Sequence, residues 1–223
     1  MCLLYGVSDA KVIPEVPAIE YSSREEEERG RERYETQKRA RLDKEEHLKE
    51  TSSDAISPLV LPDGEKVSHY GISNSQSSLI HSVQPSECTS TGFVLGGVTM
   101  KLMDELAGIV AFRHCKSNVV TASIDAIDFH APVKLSHIIH LTGRPTFTSS
   151  RSMEIEVVVD AKDYRADESV IACSAFFTYV SLDAKGRPQP IPPLELQTDE
   201  ERKRFEAGKK IYQLRKARRT SQS

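Results

Sequence analysis

The chain has 223 residues, a length that suits one domain with extensions or two small domains. Its hydrophobic content of 38% is low for a compact fold, and its charged content of 28% is slightly high. The charged residues are concentrated towards the ends of the chain, so we expect a globular middle with charged extensions. The net charge of −3 argues against a general nucleic-acid-binding protein.

The four cysteines are scattered without a CxxC pair, which favours reduced thiols over a zinc site. No segment approaches the roughly 18 apolar residues that a membrane span requires. The first seven residues lack the basic start of a signal peptide and are too short for one. These features predict a soluble, cytosolic protein without a metal site.

A proline-punctuated, extended stretch at residues 12–21 precedes a charged segment that continues to about Lys49. Serine stands ahead of an acidic first turn, and arginine and lysine accumulate later in the segment. This order complements the helix dipole at both ends and therefore predicts a helix. Because the helix would be polar nearly all round, we expect it to pack little and to lie on a surface.

The C-terminus repeats this design. Prolines at residues 190–193 precede an acidic turn, and in both copies such a turn leads to a glycine with a tyrosine four residues later. The two pairs are Gly30 with Tyr34 and Gly208 with Tyr212. Further back, Tyr5 with residues 9–11 corresponds in the same way to Tyr179 with residues 183–185. Chance similarity between charged helices is the alternative explanation.

Repeats that bracket a domain indicate a duplication. Residues 1–50 are therefore interpreted as the closing strand and charged linker helix of a preceding copy of the domain. Residues 51–73 would then form a flexible linker, and residues 74–186 the domain itself. Residues 187–223 would supply a proline-rich stretch and a charged C-terminal helix.

The central region combines one long helical pattern with several strand-like runs. Residues 76–83 predict a first strand, and a loop at residues 85–92 leads into a helix over residues 96–114. Four strand-like runs follow the helix, at residues 119–129, 137–147, 153–161 and 170–182. One apolar helix followed by an antiparallel meander indicates an α+β fold with a sheet wrapped around the helix.

The central helix carries one carboxylate that its apolar pattern does not explain. On a helical wheel its apolar residues cover more than half of the circumference, so other structure must wrap it. Lys101 and Glu105 share the opposite side as an i, i+4 pair. Asp104 lies at the apolar margin, where a half-buried carboxylate needs a reason. It is either a hydrogen-bonded core residue or a reactive group.

The start of this helix is suited to holding a carbonyl group. Gly96 and Gly97 let a ligand approach the first turn, where the N–H groups of Gly97 and Val98 can polarise a carbonyl or hold an oxyanion. Asp104 lies about 10 Å further along the helix axis. A second copy of the helix would have to bring the two features together, with Asp104 as general base on water or as nucleophile.

The predicted turn at residues 149–152 is rich in serine and joins the second and third strand-like runs. Its hydroxyl groups and the guanidinium of Arg151 could bind a phosphate. An ordinary polar hairpin explains the same residues equally well.

Three segments together resemble a known family. They are residues 96–105 (GGVTMKLMDE), residues 146–154 (TFTSSRSME) and residues 176–180 (FFTYV). These segments resemble the acyl-CoA thioesterases of hotdog fold, and the resemblance runs from about residue 75 to residue 182. The nearest match is the second hotdog domain of the cytosolic, brain-type members. Both charged tails are similar as well, the first to the linker between the two domains of those members.

The resemblance implies a double hotdog, formed by pairing with another hotdog domain, that hydrolyses long-chain fatty acyl-CoA to fatty acid and CoA. CoA is part of the substrate, and no cofactor is implied. The catalytic aspartate of the family falls on Asp104. Its partner is an asparagine in the loop before the central helix of the first domain, and the corresponding loop of this chain offers Thr89. Looser CoA contacts are implied for Gly96, Thr89, Ser150 and Arg151.

This chain departs from the family pattern at the residue before the glycine pair, where Leu95 replaces the common histidine.

Two other functions are compatible with the sequence. A hotdog half without the complementary asparagine could bind acyl-CoA, or serve as an assembly partner, without catalysis. A hotdog hydratase would add water to an enoyl-CoA, although the thioesterase resemblance is much closer.

Overall fold

The computed structural model describes residues 19–51, 70–125, 127–164 and 169–220. These residues form two compact units that divide between Leu48 and Lys49. The helices are α1 (Arg24–Thr51), α2 (Ile72–Ser75), α3 (Gly96–Cys115) and α4 (Asp199–Thr220), with a 3-10 turn at Pro85–Glu87. The strands are β1 (Ser77–Ser82), β2 (Asn118–Ile124), β3 (Asp128–Phe129), β4 (His137–Thr148), β5 (Ser152–Asp163) and β6 (Ser169–Leu182). The predicted extended stretch up to residue 18, Tyr5 of the repeat and most of the predicted linker lie outside the described residues.

The first unit contains α1, the charged helix that the sequence predicts. The Ser23 hydroxyl accepts a hydrogen bond from the Glu26 N–H at 3.2 Å and so satisfies one free donor of the first turn. Glu27 and Arg31 form an i, i+4 ion pair at 2.9 Å on the exposed surface. In the described ranges, no helix combines the length and apolar character needed to cross a membrane.

The second unit is built on one antiparallel sheet with the strand order β1-β4-β5-β6-β2, and β3 also pairs with β6. The three long strands β4, β5 and β6 form the predicted meander, and a hydrogen bond of 2.7 Å from Ser149 N–H to the Ser152 carbonyl closes the first hairpin. The predicted run at residues 119–129 is divided into β2 and β3. The sheet contains both pieces because each pairs with β6.

Helix α3 fills the concave side of this sheet and forms the centre of the core. Its residues Met103, Leu106 and Val110 are completely buried against the inner side chains of β4, β5 and β6. Burying each such side chain contributes about 1.5–3 kcal/mol. The prediction of an α+β fold, in which an antiparallel sheet curls around one long helix, is therefore confirmed.

The last turn of α3 is tied to two other segments through His114, which is completely buried. Its Nδ1 lies 3.1 Å from the Ser75 hydroxyl, and its Nε2 lies 2.9 Å from the Pro192 carbonyl oxygen. Burial lowers the pKa of this imidazole, although the bond to Pro192 acts in the opposite direction. The neutral ring then donates from Nε2 and accepts at Nδ1, so both ring nitrogens are satisfied.

Helix α4 packs on the sheet, although the sequence pattern gave it the same polar design as α1. The Phe147 ring of β4 contacts the rings of Phe205 and Tyr212, with centroids 5.0 and 5.5 Å apart. Gly208, one turn before Tyr212, is buried between them and lets the helix backbone approach the strands. The glycine and tyrosine of the C-terminal repeat therefore mark the contact face of α4.

Buried ion pairs complete this contact. Glu156 of β5 accepts hydrogen bonds from Arg144 at 2.9 Å and from Arg204 of α4 at 3.2 Å. Glu154, only 3% exposed, lies 3.3 Å from Arg215, which also pairs with Asp125. Burial raises the pKa of Glu154 to about 7, although the Arg215 guanidinium opposes this rise. A helix with charged residues on its buried face looks solvent-exposed in a hydrophobicity pattern, which explains the difference from the sequence-based expectation.

Replacing Gly208 by alanine should destabilise the second unit, although alanine favours a helix. A Cβ at this position would lie 2.7 Å from Phe147 Cβ and 2.8 Å from Glu154 Oε1, so α4 would have to move away from the sheet. We expect the melting temperature, followed by circular dichroism, to fall by about 2–6 °C.

Gly97→Ala is the matched control, because a Cβ at that position meets nothing within 4 Å. Alanine is favoured over glycine in a helix by about 1 kcal/mol, so the control should melt at or above the temperature of the parent. A Gly208→Ala protein as stable as the parent would contradict the close packing of α4 at this point.

Candidate active site

Asp104 is half-buried on α3, and two side chains from neighbouring strands hold its carboxylate. The Thr121 hydroxyl of β2 donates a hydrogen bond to Asp104 Oδ1 at 2.9 Å. The Tyr179 hydroxyl of β6 lies 2.9 Å from the same Oδ1 and 2.9 Å from the Asp104 backbone carbonyl. Thr121 and Tyr179 are direct partners in the sheet, and a register shift follows Thr121. Such irregularities often aim a side chain at a functional site.

The second oxygen of the carboxylate, Asp104 Oδ2, has no hydrogen-bond partner among the residues that the structure describes. A carboxylate fixed through one oxygen presents the other in a defined direction. Such an oxygen can accept a proton from water or attack an electrophilic carbon. The sequence predicted either a core carboxylate or a reactive group, and Asp104 combines features of both.

Sequence reasoning missed Thr121 and Tyr179, because both lie on strands that are distant from Asp104 along the chain. One signal in the sequence does indicate a close approach at this point. Gly108 lies one turn after Asp104 in a helix interior, where glycine is unfavourable by about 1 kcal/mol and needs a packing reason. A Cβ at Gly108 would lie 3.4 Å from the Tyr179 hydroxyl oxygen.

The first turn of α3 presents a backbone donor near its surface. Gly97 is exposed, and its N–H makes no hydrogen bond to another described residue. The N–H of Val98, by contrast, donates to the Leu95 carbonyl at 2.9 Å. Of the predicted pair of carbonyl-polarising donors, the Gly97 N–H is thus the one without a described partner. Gly96, the first residue of α3, is half-buried beside it.

The loop before α3 places Thr89 at the surface, in a tight turn. The Thr89 N–H donates to the Phe93 carbonyl at 2.8 Å, and Gly92 has a φ of 80° that suits glycine. The Thr89 hydroxyl lies 2.8 Å from the Thr91 hydroxyl and accepts a bond from the Phe93 N–H at 3.3 Å. These bonds hold Thr89 within its own loop, and neither of them involves Asp104.

The turn at residues 149–152 is closed by its own serine side chains. The Ser149 hydroxyl lies 2.7 Å from the Ser152 hydroxyl, and the Ser150 carbonyl accepts a bond from the Ile191 N–H at 3.1 Å. Arg151 is exposed, and its guanidinium forms no ion pair with the part of the chain that the structure describes. The same part of the chain contains no group of three His, Cys, Asp or Glu residues placed to hold a metal.

Two apolar side chains of α3 are left exposed by the sheet. Ile109 is 46% exposed and Phe112 is 56% exposed. Strand β2, which carries Thr121, ends the strand order of the described sheet. The apolar arc of the central helix is therefore only partly wrapped by its own sheet, and the apolar patch of Ile109 and Phe112, like the edge of β2, has the character of an interaction surface.

Comparison with known proteins relates this arrangement to a family. A model of the thioesterase superfamily matches residues 91–166, the segment that contains Asp104 and Thr121. The cytosolic acyl coenzyme A thioester hydrolase of Homo sapiens is 54% identical over 208 residues, which cover 92% of this chain. The match covers 52% of that relative, so the chain spans about half of its length.

Solved structures give the same relationship. An apo-hexameric acyl-CoA thioesterase superposes with a TM-score of 0.64 at 33% identity, covering 67% of this chain and 96% of that one. An acyl-CoA hydrolase from Staphylococcus aureus, solved with butyryl coenzyme A, coenzyme A and coenzyme A disulfide, has a TM-score of 0.62 at 29% identity. The superposition covers 68% of this chain and 93% of the Staphylococcus aureus hydrolase.

The Staphylococcus aureus hydrolase has also been solved with alanine in place of an aspartate, an asparagine or a threonine. In that protein the asparagine precedes the aspartate along the chain, and the threonine follows it. The near-complete coverage of a solved relative at 33% identity, together with the curled sheet around one helix, shows the relationship. The chain belongs to the acyl-CoA thioesterase family of the thioesterase superfamily, and its fold is the hotdog fold of that family.

Proposed function

We propose that this chain hydrolyses long-chain fatty acyl-CoA thioesters to a fatty acid and CoA, with Asp104 as the catalytic residue. The observation that carries the proposal is the geometry of the carboxylate, with Oδ1 fixed by two hydroxyl groups and Oδ2 free of any described partner. Both hydroxyl groups contact the same oxygen, so they hold the carboxylate in one orientation and leave Oδ2 for a water molecule or a thioester. The human relative is named a cytosolic hydrolase, and on that basis we assign the activity to the cytoplasm.

The spacing of the three altered residues in the Staphylococcus aureus hydrolase supports this assignment. The interval from its aspartate to its threonine equals the interval from Asp104 to Thr121. The interval from its asparagine to its aspartate equals the interval from Thr89 to Asp104. The aspartate and the threonine of that enzyme thus have equivalents here, and these two side chains are hydrogen-bonded in this structure. The asparagine is replaced by Thr89.

In the proposed reaction, Asp104 Oδ2 takes a proton from a water molecule whose oxygen attacks the thioester carbonyl carbon. The C–S bond then breaks, and the CoA thiolate leaves and takes up a proton. In the alternative route, Oδ2 attacks the carbonyl carbon itself, the C–S bond breaks, and the CoA thiolate leaves and takes up a proton. Water then hydrolyses the resulting anhydride and regenerates the carboxylate. In both routes the N–H of Gly97 would stabilise the negative charge that develops on the carbonyl oxygen.

Asp104 and Gly97 of one chain are separated by about 10 Å along α3, so they cannot serve the same carbonyl. We infer that the site is completed by another hotdog domain, paired at the edge of β2 and at the exposed Ile109 and Phe112 of α3. A hexameric relative supports oligomeric assembly. The greater length of the human relative also leaves room for a preceding domain as the partner.

Contacts with the CoA part of the substrate are proposed for residues at two loops. Arg151 offers a guanidinium without an ion pair to the described residues, and a guanidinium binds phosphate well. Ser150 lies beside it at the turn. Gly96 and Thr89 lie at the start of α3 and in the loop before it, where the thioester end of the substrate would approach Gly97.

Replacing Asp104 by asparagine should abolish most of the activity, because an amide can neither accept the proton nor attack the thioester. We expect kcat for palmitoyl-CoA to fall by about 100-fold or more, measured as release of free CoA thiol. Thiol release also separates hydrolysis from hydration of an enoyl-CoA, which leaves the thioester intact.

Glu105→Gln is the matched control, because it makes the same chemical change at the next residue. Glu105 is exposed and only pairs with Lys101 at 3.6 Å, so this variant should keep the parental rate. An Asp104→Asn protein with the parental kcat would contradict the role of Asp104 in catalysis.

A second function is favoured by one observation, the threonine at position 89. Its hydroxyl group is engaged with Thr91 and the Phe93 N–H, so it is poorly placed to hold a water or a carbonyl as a carboxamide could. A chain paired only with copies of itself would then bind acyl-CoA with slow turnover or none.

Thr89→Asn should therefore raise kcat of the chain by about tenfold or more, because the carboxamide would add a hydrogen-bonding group to the site. Thr91→Asn, in the same exposed loop, is the control and should leave kcat unchanged. Equal rates for the parent and Thr89→Asn would show that position 89 contributes nothing to turnover. The measurement is release of CoA thiol from palmitoyl-CoA at saturating substrate.

A further inference from the structure

The Tyr179 phenol is placed as a permanent hydrogen-bond donor to the candidate catalytic carboxylate. Its oxygen lies 2.9 Å from Asp104 Oδ1 and 2.9 Å from the Asp104 carbonyl, so its single proton is directed at that residue. The tyrosine is only 3% exposed. Burial raises the pKa of the phenol, and the neighbouring carboxylate adds to this effect, whereas the Thr121 hydroxyl lowers it. Tyr179 is therefore protonated wherever a thioesterase would operate.

The helix is shaped to receive this phenol. Gly108 lies one turn after Asp104, and a Cβ there would touch the Tyr179 oxygen at 3.4 Å and its ring at 3.9 Å. An alanine would thus fit in ordinary contact, whereas a larger side chain would displace the hydroxyl from Asp104.

Tyr179 and Thr121 both act on the same oxygen of Asp104. Two donors on Oδ1 fix the rotation of the carboxylate about its last bond, and Oδ2 is then aimed away from β6 and β2 with no described partner. Thr121 is exposed on an edge strand, whereas Tyr179 lies in the buried part of β6. The buried phenol is the more rigid of the two donors.

We propose that Tyr179 is a positioning residue, which holds Asp104 through Oδ1 so that Oδ2 faces the thioester or the attacking water. This inference rests on the proposed function of Asp104 as base or nucleophile. Tyr179 does not touch the substrate in this account. Its hydroxyl acts only through the orientation of the carboxylate.

The test is Tyr179→Phe in the full chain, because phenylalanine keeps the ring and removes only the hydroxyl. We expect kcat for palmitoyl-CoA to fall about 10- to 100-fold, while KM changes less than about twofold because the substrate contacts are intact. A loss of folded enzyme would also lower the apparent kcat without changing KM, so kcat is expressed per folded chain, with the folded fraction measured by circular dichroism.

Tyr164→Phe is the matched control. Its hydroxyl bonds to the Ser82 hydroxyl at 2.6 Å. Tyr164 follows the last residue of β5, whereas Met153, the strand partner of Tyr179, lies near the first residue of that strand. This variant should keep the parental kcat. A Tyr179→Phe protein with the parental kcat per folded chain would overturn the proposal.

A second pair of variants tests the hydrogen bond between Tyr179 and Asp104 by changing Gly108 of α3. Gly108→Val should displace the phenol and lower kcat as Tyr179→Phe does, whereas Gly108→Ala should retain most of the rate. A valine variant with the parental kcat would overturn the proposal even if Tyr179→Phe does not fold.

The crystal structure of Tyr179→Phe gives a result that does not depend on activity. The Asp104 carboxylate should occupy a second orientation there, whereas an unchanged orientation would overturn the positioning role. If the parent itself releases no CoA, the proposed function fails, but the orientation of the carboxylate still decides the role of Tyr179.

Discussion

The close packing of α3 into the curled sheet is the constraint on which the rest of the molecule depends. Leu106 and Val110 approach β4 at Gly143, where a Cβ would lie only 3.1 Å from both side chains. The helix can therefore sit deep in the concave face, and its margin is brought within hydrogen-bonding distance of β6 and β2. Asp104 meets Thr121 and Tyr179 because of this depth, so the geometry of the site follows from the packing of the core.

The sequence allowed the helix, the long strands and the half-buried position of Asp104 to be predicted, because apolar periodicity directly reflects burial. It did not reveal Thr121 or Tyr179, since their contacts with Asp104 arise from strand register, which no local pattern encodes. The docking of α4 was also missed, because Arg204, Arg215 and their carboxylate partners have the composition of a solvent-exposed surface. The Val98 N–H was predicted as a donor from the general geometry of helix starts, whereas in the structure this N–H donates to the Leu95 carbonyl.

Strand β2 ends the sheet of the described residues, and Ile109 and Phe112 of α3 are exposed. In the proposed mechanism, Asp104 Oδ2 and the Gly97 N–H are the two groups that act on the thioester, and they lie about 10 Å apart along α3. Pairing with another hotdog domain would cover Ile109 and Phe112 and bring a second helix start towards Asp104. The same interface would thus stabilise the pair and complete the site.

The most direct test of the shared site mixes two inactive variants, Asp104→Asn and Gly97→Pro. Proline is tolerated in the first turn of a helix but lacks the N–H. If each site takes Asp104 from one copy and Gly97 from the other, a mixed pair contains one intact site. With random pairing of the two chains, release of CoA thiol from palmitoyl-CoA should return to about a quarter of the parental rate. If the mixture is as inactive as its components, the two groups do not come from different copies, and the account of a shared site is wrong.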